Sequence, residues 1–200
     1  MNFWQPNESN LVEEGIYSTE IKGLWYLERK QFNDKRGFFA EIGYTDKFKA
    51  LIGKPFIIKQ INHSRSYNRV ARGMHAEDWK KLITVIKGTA VCALADVRPE
   101  SSGFGRVIMF NLGEDKGALG GSLLVEEGIA NSFCVINGPV DYVYCVDRLY
   151  NERDPKGDVA ISMFDPDLNI QWPISKEEMI LSERDKNSVT LRERFPEKFK

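Results

Sequence analysis

The feature that most limits what this chain can fold into is its punctuation. From Leu24 onward, short apolar runs alternate with glycine, asparagine and charged turn residues. Leu24-Trp25-Tyr26-Leu27 and Phe56-Ile57-Ile58 are strand-like. So are Val107-Ile108-Met109-Phe110, Phe133-Cys134-Val135-Ile136 and Tyr142-Val143-Tyr144-Cys145-Val146. Their β-branched and aromatic content suits strands. Leu82-Ile83-Thr84-Val85-Ile86 runs into Lys87-Gly88 and then Thr89-Ala90-Val91, which predicts a strand, a tight turn and a second strand. Asn137-Gly138-Pro139 separates the last two runs. Two segments predict helix: Thr45 to about Ile52, and Ser175 to about Leu181, where Ser175 caps and Glu178 completes a capping box. Many short strands with few helices predict a mainly β fold, a sandwich or barrel of jelly-roll type.

At 200 residues the chain suits one domain with a sizeable core. We divide it into an N-terminal extension or arm (1–20), a single β domain (21–185) and a C-terminal tail (186–200). The net charge of -1 gives no global attraction to nucleic acid or to an anionic membrane, so an anionic ligand must be held by local Arg and Lys. The cysteines, Cys92, Cys134 and Cys145, are few, odd in number and without C-x-x-C spacing. They suggest neither a disulfide framework nor a thiolate metal site. No basic-then-apolar signal segment opens the chain and no apolar run reaches the length of a membrane span, so a cytoplasmic protein is the default expectation.

Histidine scarcity narrows the chemistry. Only His63 and His75 occur. Transition-metal sites need several nitrogen, sulfur or oxygen donors. His75 and Glu77 supply two and no third histidine is available, so a metal site would rest on His63, His75 and a carboxylate. No G-x-S-x-G nucleophile elbow is present, nor a Gly-rich dinucleotide or P-loop fingerprint. Taken singly, the polar residues have plain structural readings. A histidine inside a barrel is ordinarily a satisfied interior residue. Lysine at a strand start is ordinarily a solvated edge residue. Tyr144 in an apolar strand reads as a core tyrosine with its hydroxyl bonded, and Asp185 as a surface aspartate.

Their combination reads differently. In order along the chain come Asp34-x-Arg36-Gly37-Phe38-Phe39-x-Glu41, Gln60-x-Asn62-His63-Ser64-x-Ser66, Arg72-Gly73-Met74-His75 and Lys81-Leu82. Asp96-Val97-Arg98-x-x-Ser101 and Phe104-Gly105 follow, then Tyr144 and Tyr150. Asp165-Pro166-x-Leu168-x-Ile170-x-Trp172-Pro173 and Leu181-Ser182-x-Arg184-Asp185 close the series. Each fragment is weak alone; in this order, from about Ile21 to Asp185, the set is specific. The chain resembles the dTDP-4-dehydrorhamnose 3,5-epimerase family. That resemblance implies a cupin-type jelly-roll barrel (a double-stranded β-helix) with a few short helices. It also implies a homodimer whose site borrows residues from the partner chain, and no cofactor or metal.

The resemblance further implies roles. His75 is the general base and Asp185 its carboxylate partner. Lys81 sits by the 4-keto oxygen, and Tyr144 donates a proton on the opposite face. Arg36 and Arg72 hold the diphosphate, and Phe38, Glu41, Gln60, Asn62 and Tyr150 line the nucleotide and sugar site. These residue types suit the chemistry. Removing a proton beside a ketone requires a stabilised enolate, and a preorganised ammonium supplies that. An imidazole titrates near neutrality, and a carboxylate on its far nitrogen fixes the tautomer. Guanidinium groups pair with phosphate oxygens bidentately.

Three positions depart from the family's pattern. Asn131, in Ala130-Asn131-Ser132-Phe133, stands where a histidine is usual; it can hydrogen-bond but cannot become cationic. We keep it among the substrate-binding residues. Cys92 replaces a usual aspartate. Arg184 keeps the charge of a usual lysine and is also assigned to substrate binding. Of the adjacent lysines, alignment through Leu82 and Gly88 makes Lys81, not Lys80, the inward one. His63 is given a structural or ligand-wall position. The leading reading is an enzyme that inverts C3 and C5 of dTDP-4-keto-6-deoxyglucose. The alternatives are a mono-epimerase on another nucleotide sugar, a non-catalytic sugar-nucleotide-binding cupin, and a metal-dependent cupin.

Overall fold

A computed structural model describes residues 2–152, 154 and 158–199. The strands are β1 (Leu11–Glu13), β2 (Ile16–Ser18), β3 (Leu24–Leu27), β4 (Lys30–Asp34), β5 (Gly37–Glu41) and β6 (Gln60–Ser66). Then come β7 (Ala71–Ala76), β8 (Lys81–Asp96), β9 (Val107–Gly113), β10 (Ser122–Val125), β11 (Ile129–Val146) and β12 (Val159–Ala160). Helices are α1 (Thr45–Ile52), α2 (Glu183–Lys186) and α3 (Leu191–Arg194). Among the described residues no helix is long and apolar enough to cross a membrane.

Two long antiparallel strands organise the barrel. β8 and β11 pair from Lys81↔Val146 to Asp96↔Ile129. The first half of β8 pairs β10 on its other side, and the second half pairs β9. The end of β11 pairs β6, and its beginning pairs β7. Each long strand therefore belongs to two sheets in turn, which is jelly-roll topology. The crossing lies at Lys87-Gly88 and Asn137 to Asp141, where the register shifts. Gly88 has φ +71, and a Cβ there would stand 2.6 Å from the Pro139 carbonyl oxygen. The expected tight turn at Lys87-Gly88 is thus a bend inside one continuous strand. Pairing with β11 on both sides of the bend outweighs the local turn signal.

Strand alternation sorts side chains between three cores. Ile83, Val85, Cys92, Leu94, Phe133 and Tyr142 belong to the barrel interior. Leu82 and Leu124 face outward and pack with Phe48 of α1 and Phe56. Met74, Ala76, Ala95 and Ala130 face outward on the other sheet, under Ile161, Met163, Leu168, Leu191 and Phe195 of the C-terminal part.

Other expectations meet tertiary competition. Phe56-Ile57-Ile58 is not a strand. Phe56 is buried edge-on against Phe48, at 5.7 Å, and pairing begins only where Lys59 N donates to the Val146 carbonyl at 2.8 Å. The expected helix from Ser175 is one 3-10 turn, Lys176–Glu178, with the Glu178 carboxylate accepting from Ser175 N. It stops because Ile180 takes backbone bonds beside β7, donating to Arg69 O at 2.9 Å and accepting from Ala71 N at 3.1 Å. The stretch read as an arm reaches the barrel core at Trp4. Trp4 lies against Tyr26 and Phe110, with centroids at 5.5 and 5.3 Å, and its backbone N–H donates to Met109 O at 2.8 Å. The tail is also packed: Leu191 N donates to Asp165 Oδ2 at 2.7 Å, and Phe195 meets Phe104 edge-on at 5.5 Å.

Because Trp4 is only 9% exposed, truncating it leaves a void in the barrel. Trp4→Ala is expected to cost about 3–5 kcal/mol in urea unfolding; a loss below about 0.5 kcal/mol would make residues 1–20 an appended arm.

Candidate active site

Strand parity builds the site. On β7, Met74 and Ala76 point out into the second core, so His75 between them points inward. On β8, Leu82 points out, so Lys81 and Ile83 point in. On β11, Asn131, Tyr142 and Tyr144 share the inner face. α2 brings Asp185 over the same opening. Together they line a cavity of about 240 Å³.

His75 Nε2 and Asp185 Oδ1 are 2.7 Å apart, with the two side chains 24% and 3% exposed. Asp185 is fixed by its own helix start. Ser182 caps α2, accepting from Asp185 N at 3.1 Å while its hydroxyl donates to Asp185 Oδ2 at 2.8 Å. Burial pushes the Asp185 carboxyl up, but hydrogen bonds from His75 and Ser182 outweigh it and hold the group below its ordinary range. It is therefore an anion facing the imidazole.

Lys81 Nζ donates to the Glu77 carboxylate in a short bond, to Asn131 Oδ1 at 2.5 Å and to the His75 carbonyl at 3.5 Å. The neighbouring Lys80 turns the other way, to Glu127 Oε1 at 2.7 Å. Asn131 Nδ2 donates to the Tyr142 hydroxyl at 3.3 Å. Tyr142 stacks on Phe133 at 4.5 Å and presents its edge to Tyr144 at 6.2 Å. Burial, then the Glu77 charge, push the Tyr144 phenol above its ordinary value against the opposing effect of Arg72. Tyr144 is accordingly a neutral O–H donor. Arg72 lines the cavity and donates from Nε to Ser66 Oγ at 3.0 Å.

The remaining predicted residues spread outward. Asn62 sits opposite Tyr144 in the β6–β11 register. Gln60 Nε2 donates to Asn62 Oδ1 at 2.7 Å, and Gln60 Oε1 accepts from Tyr150 N at 3.0 Å. Arg36 and Phe38 are not brought to the cavity. They lie on the β4–β5 hairpin, exposed, with Arg36 Nη2 on Asp34 Oδ2 at 2.5 Å. Glu41 ends that hairpin beside a second hollow near Tyr44 and Lys47. Arg184 turns from the cavity to Asp158 Oδ1 at 2.7 Å. His63, on the outer face of β6, meets Asp141 Oδ1 at 3.0 Å. Cys92 is fully inside the barrel, its thiol pushed up by burial. No group of three or more His, Cys, Asp or Glu among the described residues is arranged to hold a metal ion.

Tyr142, Ser182 and Glu77 are among the cavity residues to which sequence reasoning gave no part in the reaction. Tyr142 lies two positions from Tyr144, so strand period alone puts both on one face. Ser182 is the cap of the turn that carries Asp185. Glu77 was weighed only as a metal ligand.

A family model described as dTDP-4-dehydrorhamnose 3,5-epimerase matches residues 18–193. The chain belongs to this family. The dTDP-4-dehydrorhamnose 3,5-epimerase of Escherichia coli (strain K12) is 32% identical over 184 residues, covering 89% of this chain and 95% of that relative. The Legionella pneumophila epimerase, solved in complex with dTDP-4-keto-L-rhamnose, superposes with a TM-score of 0.78 at 29% identity. That match covers 88% of this chain and 92% of the other. A 3'-monoepimerase from Streptomyces bikiniensis, in complex with dTDP-quinovose, gives a TM-score of 0.79 at 27% identity over 89% of each chain. The fold is the cupin-type jelly roll of these epimerases.

The lowered Asp185 carboxyl has a consequence for stability. Its ionised form favours the folded state, a contribution complete above about pH 4 and lost as pH falls through the lowered folded value. Thermal unfolding should therefore show wild type more stable than Asp185→Asn at pH 7, with the gap closing below about pH 4. A gap that widens in acid would contradict the ion pair.

Proposed function

We propose that this chain inverts C3 and C5 of dTDP-4-keto-6-deoxyglucose, giving the 4-keto-L-rhamnose nucleotide, with His75, Lys81, Tyr144 and Asp185 as its working groups. The observation that carries the reading is the 2.7 Å His75–Asp185 pair opening on the same cavity as Lys81 and Tyr144. His75 takes the proton from a carbon beside the ketone. The electron pair moves onto the ketone oxygen, and Lys81 stabilises the enolate. Asp185 stabilises the imidazolium that forms. Tyr144 gives its proton to the same carbon from the other side. His75 then returns its proton to solvent and Tyr144 regains one. Two features support delivery to opposite faces: β7 carries His75 and pairs the beginning of β11, whereas Tyr144 stands at the end of β11, where β6 pairs.

Arg72, at the cavity, suits the diphosphate. Gln60, Asn62, Tyr150 and Asn131 suit the sugar and base, whereas Arg184, turned to Asp158, is not among the residues that line the cavity. Arg36, Phe38 and Glu41 belong to a hairpin directed away from this chain's own cavity. Its Phe32, Phe38 and Phe39 are 56%, 58% and 65% exposed. This supports a homodimer in which the hairpin serves the partner's cavity, and the enzyme's place is the cytoplasm. A mono-epimerase is the second reading. It is favoured by Asn131, a neutral amide engaged by Lys81, and by the similarity to the Streptomyces bikiniensis monoepimerase.

Proton NMR in heavy water with dTDP-4-keto-6-deoxyglucose separates these readings. Exchange and inversion at C3 and C5 are expected; inversion at one carbon would select the mono-epimerase. Nucleotide-sugar binding without exchange would leave only a binding cupin. His75→Ala and Lys81→Ala should each lower exchange by at least about a hundredfold while dTDP still binds. Tyr144→Phe should slow inversion more than exchange, because His75 still exchanges a proton on its own face. Equal loss of both would remove Tyr144 as the donor.

A further inference from the structure

Glu77 stands two residues beyond His75, in the turn between β7 and β8, and the reaction described above does not use it. Its carboxylate accepts from Lys81 Nζ, and the two side chains are only 12% and 5% exposed. With Asn131 Oδ1 and the His75 carbonyl it completes three acceptors around an ammonium that has three donors. The Glu77 backbone is itself held, its carbonyl accepting from Gly128 N at 3.2 Å. Two carboxylates line this cavity among the described residues, and Asp185 is committed to His75 and Ser182.

We infer that Glu77 is a positioning residue for epimerisation, holding the Lys81 ammonium where the ketone oxygen gathers charge. This rests on the roles proposed for Lys81 and Tyr144. An ammonium buried without a counter-charge gives up its proton or swings toward water. The charged acceptor binds it most strongly, so an incoming enolate oxygen displaces a neutral acceptor and leaves the carboxylate in place.

Glu77 also bears on Tyr144. The groups facing that phenol are Arg72 from β7, Tyr142 on β11, Tyr150 beyond β11 and Glu77, with His75, Lys81 and Asp185 around the same cavity. After burial, the Glu77 charge is the next cause raising the phenol. Removing it lowers Tyr144, so the proton-donating form is lost at lower pH.

The test compares wild type, Glu77→Gln and Glu77→Asp. It measures kcat and KM with dTDP-4-keto-6-deoxyglucose, product being trapped by a reductase, the pH profile of kcat, and dTDP affinity by calorimetry. Glu77→Gln keeps the size and an acceptor but not the charge. It should lower kcat more than about fivefold, move the alkaline limb to lower pH, and leave the Kd for dTDP within about twofold. Glu77→Asp should be faster than Glu77→Gln. A smaller loss of kcat, an unmoved alkaline limb, a parallel loss of dTDP affinity, or an Asp variant no faster than Gln overturns the inference. With wild type turning over, such a result strikes Glu77 alone. Wild type without turnover or exchange strikes the roles of Lys81 and Tyr144, and this inference falls with them.

Discussion

The ladder between β8 and β11 is the constraint on which the rest depends. Both strands are long, and both bend at the same place, around Gly88 and Asn137 to Asp141. A single ladder therefore runs through both sheets and closes the barrel between them. Buried backbone groups must be paired, so neither strand can slip by one residue without exchanging its inner and outer faces. The inner faces carry Lys81 and Ile83 on one strand and Asn131, Tyr142 and Tyr144 on the other. One register thus places most of the site. His75 follows because β7 pairs the same strand, Asn131 lying opposite His75.

Within the cavity, electrostatics arranges what the register delivers. The imidazole and the ammonium each have a carboxylate: Asp185 for His75, Glu77 for Lys81. Each pair lowers the cost of burying its charges and fixes a direction for its cation or base. Asp185 depends on a four-residue helix whose cap, Ser182, binds its carboxylate as well as its amide. That helix lies against β7, the strand that carries His75, and the chain beyond it packs Leu191 and Phe195 into the outer core.

Much of this was legible beforehand. Alternating short apolar runs indicate strands wherever the chain is long enough to make a period-two pattern, and α1 begins and ends where Thr45 and Ile52 suggest. The motif residues His75, Lys81, Tyr144 and Asp185 lie together in the fold. What misled were local signals overruled from a distance. Gly88 reads as a turn, yet pairing on both sides keeps the strand continuous. Ser175 and Glu178 read as a helix start, yet Ile180 finds backbone partners beside β7 and the helix ends after one turn. The polar opening of the chain hid Trp4, whose burial against Tyr26 and Phe110 no local pattern reveals.

The sequence by itself determined the class of structure, the family and the residue types available for proton transfer, because periodicity, glycine placement and ordered motifs are properties of neighbouring residues. Only the tertiary structure decided which groups meet. Asp185 reaches His75 across 110 positions of chain, and Asn131 reaches Lys81 across 50. It also turned Glu77 from a candidate metal ligand into the partner of Lys81, and it left Arg36 and Phe38 on a hairpin away from the cavity. Contacts at such separations depend on strand register and packing summed over the whole barrel, and no short stretch of sequence carries that sum.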